Sequence, residues 1–284
     1  MTGDCHIHMI LDGVYYRTAM EHHQLQPNES LIRQRLEDYR SLGVTYLRDG
    51  GDRWNVSLTA ARLAEEYGIS YRTPVFPICR AGHYGEFIGR GFSDLGEYRQ
   101  LVEEVKEQGG HFIKIMASGI MDFSDYGLLT DTPCERQLCR QMIEIAHDRG
   151  FSVMVHANGD EAVTAAVEAG ADSIEHGAYL GEQTLQCMAQ HSVVWVPTLV
   201  TVYKLLGAGR YEDAVLQPIL DNQLRQVRRA GELGVSLALG TDAGAWGVFH
   251  GKAVEEEYGL LRQALGQDAD RLLAEGQRKI QQKF

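Results

Sequence analysis

A unit of helix, glycine and strand recurs along the chain and restricts the folds that it can adopt. In the first complete unit Ser30 caps a helix that stops near Gly43, and a β-type run at 44–48 follows. With the opening run at 4–9 we count eight predicted strands, the other six lying at 71–78, 111–116, 151–155, 173–176, 193–196 and 235–239. Strands that alternate with helices in this way favour a parallel sheet with right-handed crossovers.

A closed (β/α)8 TIM barrel is the simplest arrangement of these elements. The predicted strands are continuous apolar runs rich in Val and Ile, as expected where helices cover both faces of a parallel sheet. The length of 284 residues is close to the roughly 250 residues of a typical barrel. An open doubly wound sheet is the alternative, but no Gly-x-Gly-x-x-Gly motif follows a strand. We therefore predict one α/β domain, residues 1–284, without a linker.

Composition excludes several classes of function. The net charge of −12 leaves no basic patch for nucleic acid or for an anionic membrane surface, so a small-molecule substrate is the better expectation. No apolar run is long enough for a transmembrane helix and no secretory leader is present, which predicts a cytoplasmic protein. The five cysteines are scattered and never spaced as Cys-x-x-Cys, so we expect reduced thiols. The sequence leaves open whether the protein forms homo-oligomers.

Polar residues that close the strands are the first indication of function. In the opening run Asp4-Cys5-His6-Ile7-His8-Met9, the period of two places both histidines on one face. Four later strands end in or near one titratable residue each, namely Lys114, His156, His176 and Asp242. A single buried histidine is more often a core residue, and a single aspartate in a turn is ordinary turn chemistry. In a barrel, however, all these strand ends share one rim, where active sites form.

These residue types indicate a metal centre. Neutral imidazoles and carboxylates suit zinc and related divalent ions, and an open coordination position allows a bound water to be activated. Six ligands exceed what one tetrahedral ion needs, so two metal ions that share a ligand fit better. Lys114 lies within the apolar run 112–116, where a charged ammonium is unfavourable. Its amine could react with carbon dioxide, and the resulting carbamate could bridge the two ions.

With these residues in place, the chain resembles the amidohydrolase superfamily, specifically its binuclear imidazolonepropionase-like and Xaa-Pro-dipeptidase-like branch. The resemblance covers nearly the whole chain, in motifs at 4–8, 44–51, 112–119, 155–159, 173–177, 196–198 and 240–244. It implies one metal ion on His6, His8 and Asp242, a second on His156 and His176, and a carboxylated Lys114 that bridges them. Zinc is the first expectation, and manganese, cobalt or iron would also suit the ligands.

Members of this superfamily usually carry a small β-sandwich built from residues before the first barrel strand and after the last helix. Here the His-x-His motif lies at residues 6 and 8, and no β-rich tail follows the last predicted helix. We therefore expect a barrel that lacks the accessory sandwich, either by nature or by trimming of the chain.

Our hypothesis for the activity is hydrolysis of an amide or peptide-like carbon–nitrogen bond, as in a dipeptidase or a cyclic amidase. A hydroxide that bridges the two ions would attack the carbonyl, and Asp242 would act first as general base and then as general acid. A lactonase or phosphotriesterase would use the same constellation of ligands. A mononuclear deaminase would leave Lys114 without a role, and a non-catalytic metal-binding protein would leave Asp242 without one.

Candidate substrate contacts are polar residues in loops just beyond strand ends, where binding groups are often found. Arg80, His83 and Tyr84 follow the third strand, Tyr203 follows the seventh and His250 follows the eighth. The resemblance favours Tyr203 and His250, and Arg80 could pair with a substrate carboxylate. Each of these residues is equally well explained as an ordinary loop residue.

Overall fold

A barrel of parallel strands surrounded by helices makes up residues 3–284, the part of the chain that the computed structural model describes. The strands are β1 (Gly3–Ile7), β2 (Tyr46–Asp49), β3 (Ser70–Arg72), β4 (Pro77–Arg80), β5 (Arg90–Phe92), β6 (Ile113–Met116), β7 (Val153–Ala157), β8 (Ser173–His176), β9 (Val194–Val196) and β10 (Ser236–Leu237). The helices are α1 (Tyr16–Glu21), α2 (Glu29–Ser41), α3 (Val56–Ala64), α4 (Leu95–Glu107), α5 (Arg136–Asp148), α6 (Gly159–Glu168), α7 (Glu182–Gln190), α8 (Val200–Tyr203), α9 (Asp213–Leu233), α10 (Ala253–Leu265) and α11 (Ala269–Lys283). Among these residues, no helix has the length and apolar character required to cross a membrane.

The strands form two hydrogen-bonded groups that together close the barrel. One group has the order β1-β2-β3 and the other has the order β10-β9-β8-β7-β6-β4-β5, and every pair is parallel. The first strand meets the segment after β10 where Cys5 N donates to Leu239 O at 2.9 Å and Asp242 N donates to His6 O at 2.7 Å. The predicted α/β class and (β/α)8 barrel are confirmed.

The third barrel strand differs from the prediction because it is broken. The sequence predicts one strand at 71–78, whereas β3 pairs with β2 and β4 pairs with β6. Pro74 and Pro77 lie in this stretch and lack the N–H group that a continuous ladder needs. Between them Val75 adopts a left-handed φ of 68°. An additional strand, β5, pairs with β4 at the edge of the larger group.

The helices differ from the prediction in two respects. Asn28, rather than Ser30, caps α2, because its side chain accepts a hydrogen bond from Leu31 N at 3.3 Å. The short helices α1 and α8 are not predicted, since so few residues carry no clear periodic signal.

The last helix covers the end of the barrel opposite the strand ends that carry the predicted ligands. Phe284, which follows α11, is 9% exposed and packs edge-on against Phe112, with ring centroids 5.1 Å apart. Arg48 of β2 lies over the Phe284 ring at 4.4 Å from its centroid. From there, its guanidinium donates to Ser173 Oγ at 2.8 Å and to Glu175 Oε1 at 2.7 Å. The buried hydrogen bonds of Arg48 therefore separate the Phe112–Phe284 pair from the strand ends that carry the predicted ligands.

Candidate metal centre

All six predicted ligands line one cavity at the carboxyl ends of the barrel strands. They are His6, His8, Lys114, His156, His176 and Asp242. The Nε2 atoms of His6 and His8 lie 3.6 and 3.4 Å from Asp242 Oδ1, and one ligand atom of each of these residues lies within 4.8 Å of the others. The His176 ring lies beside them, with centroid distances of 4.9 Å to His6 and 4.6 Å to His156. Strand ends that are far apart in the sequence thus place their polar side chains together.

Two of the predicted ligands have a left-handed backbone conformation. The φ angle is 67° at His176 and 59° at Asp242, in a region that residues other than glycine rarely occupy. Trp195 Nε1 donates to His176 O at 2.9 Å, and Asp242 N donates to the carbonyl of His6. Such conformations persist only where the surroundings hold them, and they are common at active sites.

Two glycines allow the backbone to approach the first pair of histidines. A Cβ atom on Gly50, after β2, would lie 2.3 Å from His8 Cε1, and one on Gly240 would lie 2.8 Å from His6 N. Both distances are shorter than any ordinary contact with carbon. Any larger residue at either position would displace a histidine of the cluster or open the barrel seam.

Hydrogen bonds with Glu175 and Thr198 orient two of the histidine rings. His6 Nδ1 donates to Glu175 Oε2 at 2.7 Å, and Arg48 binds the other oxygen of that carboxylate. His176 Nδ1 lies 2.8 Å from Thr198 Oγ1. With the proton on Nδ1 in each ring, Nε2 keeps a free lone pair for a metal ion.

Burial keeps the histidines of the cluster neutral. Removal from water, together with the charge of the nearby Lys114, lowers the pKa of His8 and of His156 to about 3. Burial also lowers the pKa of the other two histidines of the cluster, His6 and His176, well below the usual value. The same effect lowers the pKa of Lys114 to about 8 and raises the pKa of Asp242 to about 7. Neutral imidazole is the form that binds metal ions.

Three buried polar atoms of the cluster have no hydrogen-bond partner among residues 3–284. They are His6 Nε2, His8 Nδ1 and Lys114 Nζ. Leaving a buried donor or acceptor unsatisfied costs roughly 1–3 kcal/mol, so native proteins rarely do so without a reason. A divalent ion beside Asp242 would satisfy His6 Nε2, and two histidines with one carboxylate are a zinc-type donor set. The residues present therefore fit a divalent metal centre.

The Thr198 hydroxyl is expected to orient His176 for metal binding. Thr198→Val removes the partner of His176 Nδ1 and keeps the shape of the side chain, so metal affinity should fall roughly 10- to 100-fold. Titration of the metal-free protein with zinc measures the change. Thr198→Ser keeps the hydroxyl and should bind zinc normally, as should Thr164→Val, which alters the remote Thr164–Thr184 pair. Unchanged affinity in Thr198→Val would contradict the role.

Four predicted substrate contacts lie outside the lining of this cavity: Arg80, His83, Tyr203 and His250. His250 is buried, and its Nε2 donates to Leu11 O at 2.9 Å. Tyr203 of α8 is 44% exposed. His83 pairs with Asp131 at 3.1 Å. Their participation in substrate binding stays a prediction, whereas Tyr84, the neighbour of His83, does line the cavity.

The cavity has a volume of about 480 Å³ and mainly aromatic and apolar walls. Its aromatic residues follow five different strands: Tyr15, Tyr16, Tyr84, Phe87, Phe123, Tyr211 and Trp246. Arg210 is the one cation of the lining besides Lys114, among residues 3–284. Apart from Tyr84, these residues are not among the predicted substrate contacts, which are all polar loop residues. The available signal was the aromatic residues in the loops after those strands.

The chain is similar to several known proteins. The model of the amidohydrolase family matches residues 12–272. An uncharacterised protein of Mycobacterium tuberculosis is 28% identical over 256 residues, which are 85% of this chain and 65% of that protein. Ochratoxinase of Aspergillus niger is 27% identical over 201 residues, which are 67% of this chain and 39% of ochratoxinase. The chain therefore spans less than two thirds of the length of these relatives.

Solved structures share the fold. A Xaa-Pro dipeptidase with bound methionine in its active site superposes with a TM-score of 0.79 at 20% identity, covering 99% of this chain and 75% of the dipeptidase. The ochratoxinase structure also has a TM-score of 0.79, at 21% identity, and covers 98% of this chain and 71% of that protein. Because the family match extends over most of the barrel, the chain belongs to the amidohydrolase family.

Proposed function

We propose that this protein hydrolyses amide bonds with two divalent metal ions. The observation that carries the proposal is the convergence of His6, His8 and Asp242, whose ligand atoms lie within 4.8 Å of one another, in one cavity with Lys114, His156 and His176. The proposed ligands are His6, His8 and Asp242 for one ion, His156 and His176 for the other, and carboxylated Lys114 as the bridge. Bound metal ions would lower the pKa of water and polarise the carbonyl group of the substrate.

Asp242 is the proposed proton carrier. It is the only carboxylate in the lining of the cavity, among the residues that the structure describes. A carboxylate at this place can accept a proton from the attacking water and give it to the nitrogen that leaves when the carbon–nitrogen bond breaks. The left-handed backbone at Asp242 and the hydrogen bond from its N–H to His6 O hold it beside the histidine pair.

Lys114 is the proposed site of carboxylation. Its side chain is fully buried in β6, and burial lowers its pKa to about 8, so part of the population is the neutral amine near neutral pH. A neutral amine attacks the carbon of carbon dioxide, forms a nitrogen–carbon bond and releases one proton to solvent. The product is an anionic carbamate, which offers two oxygen ligands where the unmodified ammonium offers none.

The similar proteins support a hydrolase and leave its substrate open. One similar structure is that of a Xaa-Pro dipeptidase and one relative is named ochratoxinase. A dipeptidase breaks an amide bond, which agrees with the proposed chemistry. Zinc is the metal that we expect first, with manganese, cobalt and iron as alternatives. The net charge of −12 favours a small-molecule substrate over nucleic acid or an anionic membrane.

Metal analysis combined with a substrate panel tests the proposal. We expect elemental analysis of the purified protein to give two divalent ions per chain, and chelation followed by gel filtration to abolish turnover until metal is restored. The panel contains dipeptides, N-acyl amino acids, lactones and phosphotriesters, and the amides should be cleaved fastest. Preferential cleavage of lactones or phosphotriesters would replace the proposal with an esterase-type function. Metal-loaded protein that cleaves no member would refute it.

A further inference from the structure

One wall of the cavity is a row of aromatic rings that leads from the mouth to the metal centre. The Tyr16 and Phe87 centroids lie 5.6 Å apart, those of Phe87 and Tyr84 lie 6.0 Å apart, and those of Tyr84 and His156 lie 5.1 Å apart. Tyr16 and Phe87 are 39% and 37% exposed at the outer end, whereas His156 is buried. A substrate group on this wall would contact ring faces and edges over its whole length.

A second group of aromatic residues carries a positive charge. Phe123 and Tyr211 lie with ring centroids 5.4 Å apart. The guanidinium carbon of Arg210 lies 5.3 Å from the Trp246 ring centroid and 5.9 Å from that of Tyr211. Stacking against aromatic faces restricts the guanidinium and leaves its N–H groups available at the edge of its plane.

Arg210 has no carboxylate partner among residues 3–284. Some exposed arginines in the described part of the chain are paired, such as Arg33 with Glu66 and Arg229 with Glu182, both at 2.6 Å, whereas others lie free on the outer surface away from the cavity. Among the arginines of residues 3–284, Arg210 is the one that lines the cavity. A guanidinium in this position is suited to bind a carboxylate of the substrate through two parallel hydrogen bonds.

The part of the cavity formed by residues 3–284 offers no free carboxylate to a positively charged group of a substrate. Apart from Asp242, which the proposed metal centre uses, no aspartate or glutamate of residues 3–284 lines it. A free ammonium group of a substrate would therefore lose water without gaining a partner. A dipeptide carries such an ammonium next to its scissile amide, whereas an N-acylated amino acid carries only the carboxylate.

We infer that the substrates are N-acylated amino acids whose acyl group and side chain are both large and apolar, with the carboxylate bound by Arg210. The inference rests on the proposed amide hydrolysis and names its substrate class. Water adds to the acyl carbon, the carbon–nitrogen bond breaks, and the products are a carboxylic acid and a free amino acid. The cavity volume of about 480 Å³ lies within the roughly 300–1,000 Å³ of sites for such ligands.

Three related compounds test the charge requirement on the metal-loaded protein. N-benzoyl-phenylalanine has the carboxylate alone, its carboxamide has no charge, and phenylalanyl-phenylalanine has an added ammonium. We expect kcat/KM for the first to exceed the other two by roughly 10- to 100-fold. Arg210→Gln should remove the advantage over the carboxamide, mainly through a higher KM, and Arg210→Lys should restore part of it. Equal cleavage of the dipeptide, or an unchanged preference in Arg210→Gln, would overturn the inference.

A binding measurement separates this inference from the proposed function. N-benzenesulfonyl-phenylalanine has no cleavable carboxamide and should quench the fluorescence of Trp246 as it binds. Arg210→Gln should weaken its binding roughly 10- to 100-fold. The control is Arg53→Gln, since Arg53 stacks on Trp54 at 4.6 Å in the same manner but does not line the cavity. Arg210-dependent binding without cleavage of any amide would refute the hydrolase alone, and amide cleavage with Arg210-independent binding would refute the substrate class alone.

Discussion

Asp242→Asn is expected to lower kcat for amide hydrolysis roughly a thousandfold or more, because general acid–base catalysis of this kind contributes about 10²- to 10⁴-fold. Asparagine has nearly the same shape, so the turn after β10 should persist, including its hydrogen bond from residue 242 to His6 O. The amide cannot take up a proton from water and return it to a leaving nitrogen. Steady-state kinetics of the fully metal-loaded variant measures the loss.

Metal content separates the two roles of Asp242. If the variant retains its metal ions and is inactive, the proton transfer accounts for the loss. If it also releases an ion, its affinity for added zinc shows how much of the loss is due to ligation. Asp125→Asn, at an exposed aspartate in the loop after β6 that does not line the cavity, is the control and should be fully active. A near-normal rate in Asp242→Asn would refute the role of this carboxylate.

Lys114→Met is expected to reduce the metal content from two ions per chain to about one and to lower kcat by a similar factor of roughly a thousand. Methionine fits an apolar barrel interior and keeps the length of the side chain, so the fold should persist. It cannot form a carbamate, and the bridge between the two ions is lost. Elemental analysis and kinetics measure the two effects.

Carboxylation itself has a direct readout. Wild-type protein equilibrated with isotopically labelled bicarbonate should give a carbamate signal in carbon NMR, and Lys114→Met should not. Lys106→Met, at an exposed lysine in the last turn of α4, should leave the signal, the metal content and the rate unchanged. Two tightly bound ions in Lys114→Met would contradict the bridging role.

The predicted ligands could be identified from the sequence because each of them is marked by its position in or at the end of a strand. A strand of alternating side chains places His6 and His8 on one face, and parallel strands of a barrel end at the same rim. Lys114, His156 and His176 lie in or at the ends of β6, β7 and β8. The alternation of side chains along a strand and the residue at which a strand ends depend on neighbouring residues only. They can therefore be recognised without knowledge of the contacts between elements.

The supporting contacts could not be predicted in the same way. Arg48 and Glu175 are polar residues inside apolar strands, and only the barrel register brings them together beneath His6. Glu257 of α10 accepts hydrogen bonds from Leu199 N and Val200 N, and so holds the turn that carries Thr198. These pairs are separated by many residues, and no local pattern links them.

The residues that line the cavity differ most from the predicted substrate contacts, because the path of a loop depends on how it packs against the rest of the protein. His250 turns inward to the carbonyl of Leu11, whereas Arg210 and Trp246 come from two different loops and meet at the cavity. The sequence by itself determined the barrel and the six residues proposed as metal ligands, since both follow from short-range periodicity. Only the tertiary structure decided which loop residues form the cavity walls, because their positions depend on contacts between segments that are distant in the chain.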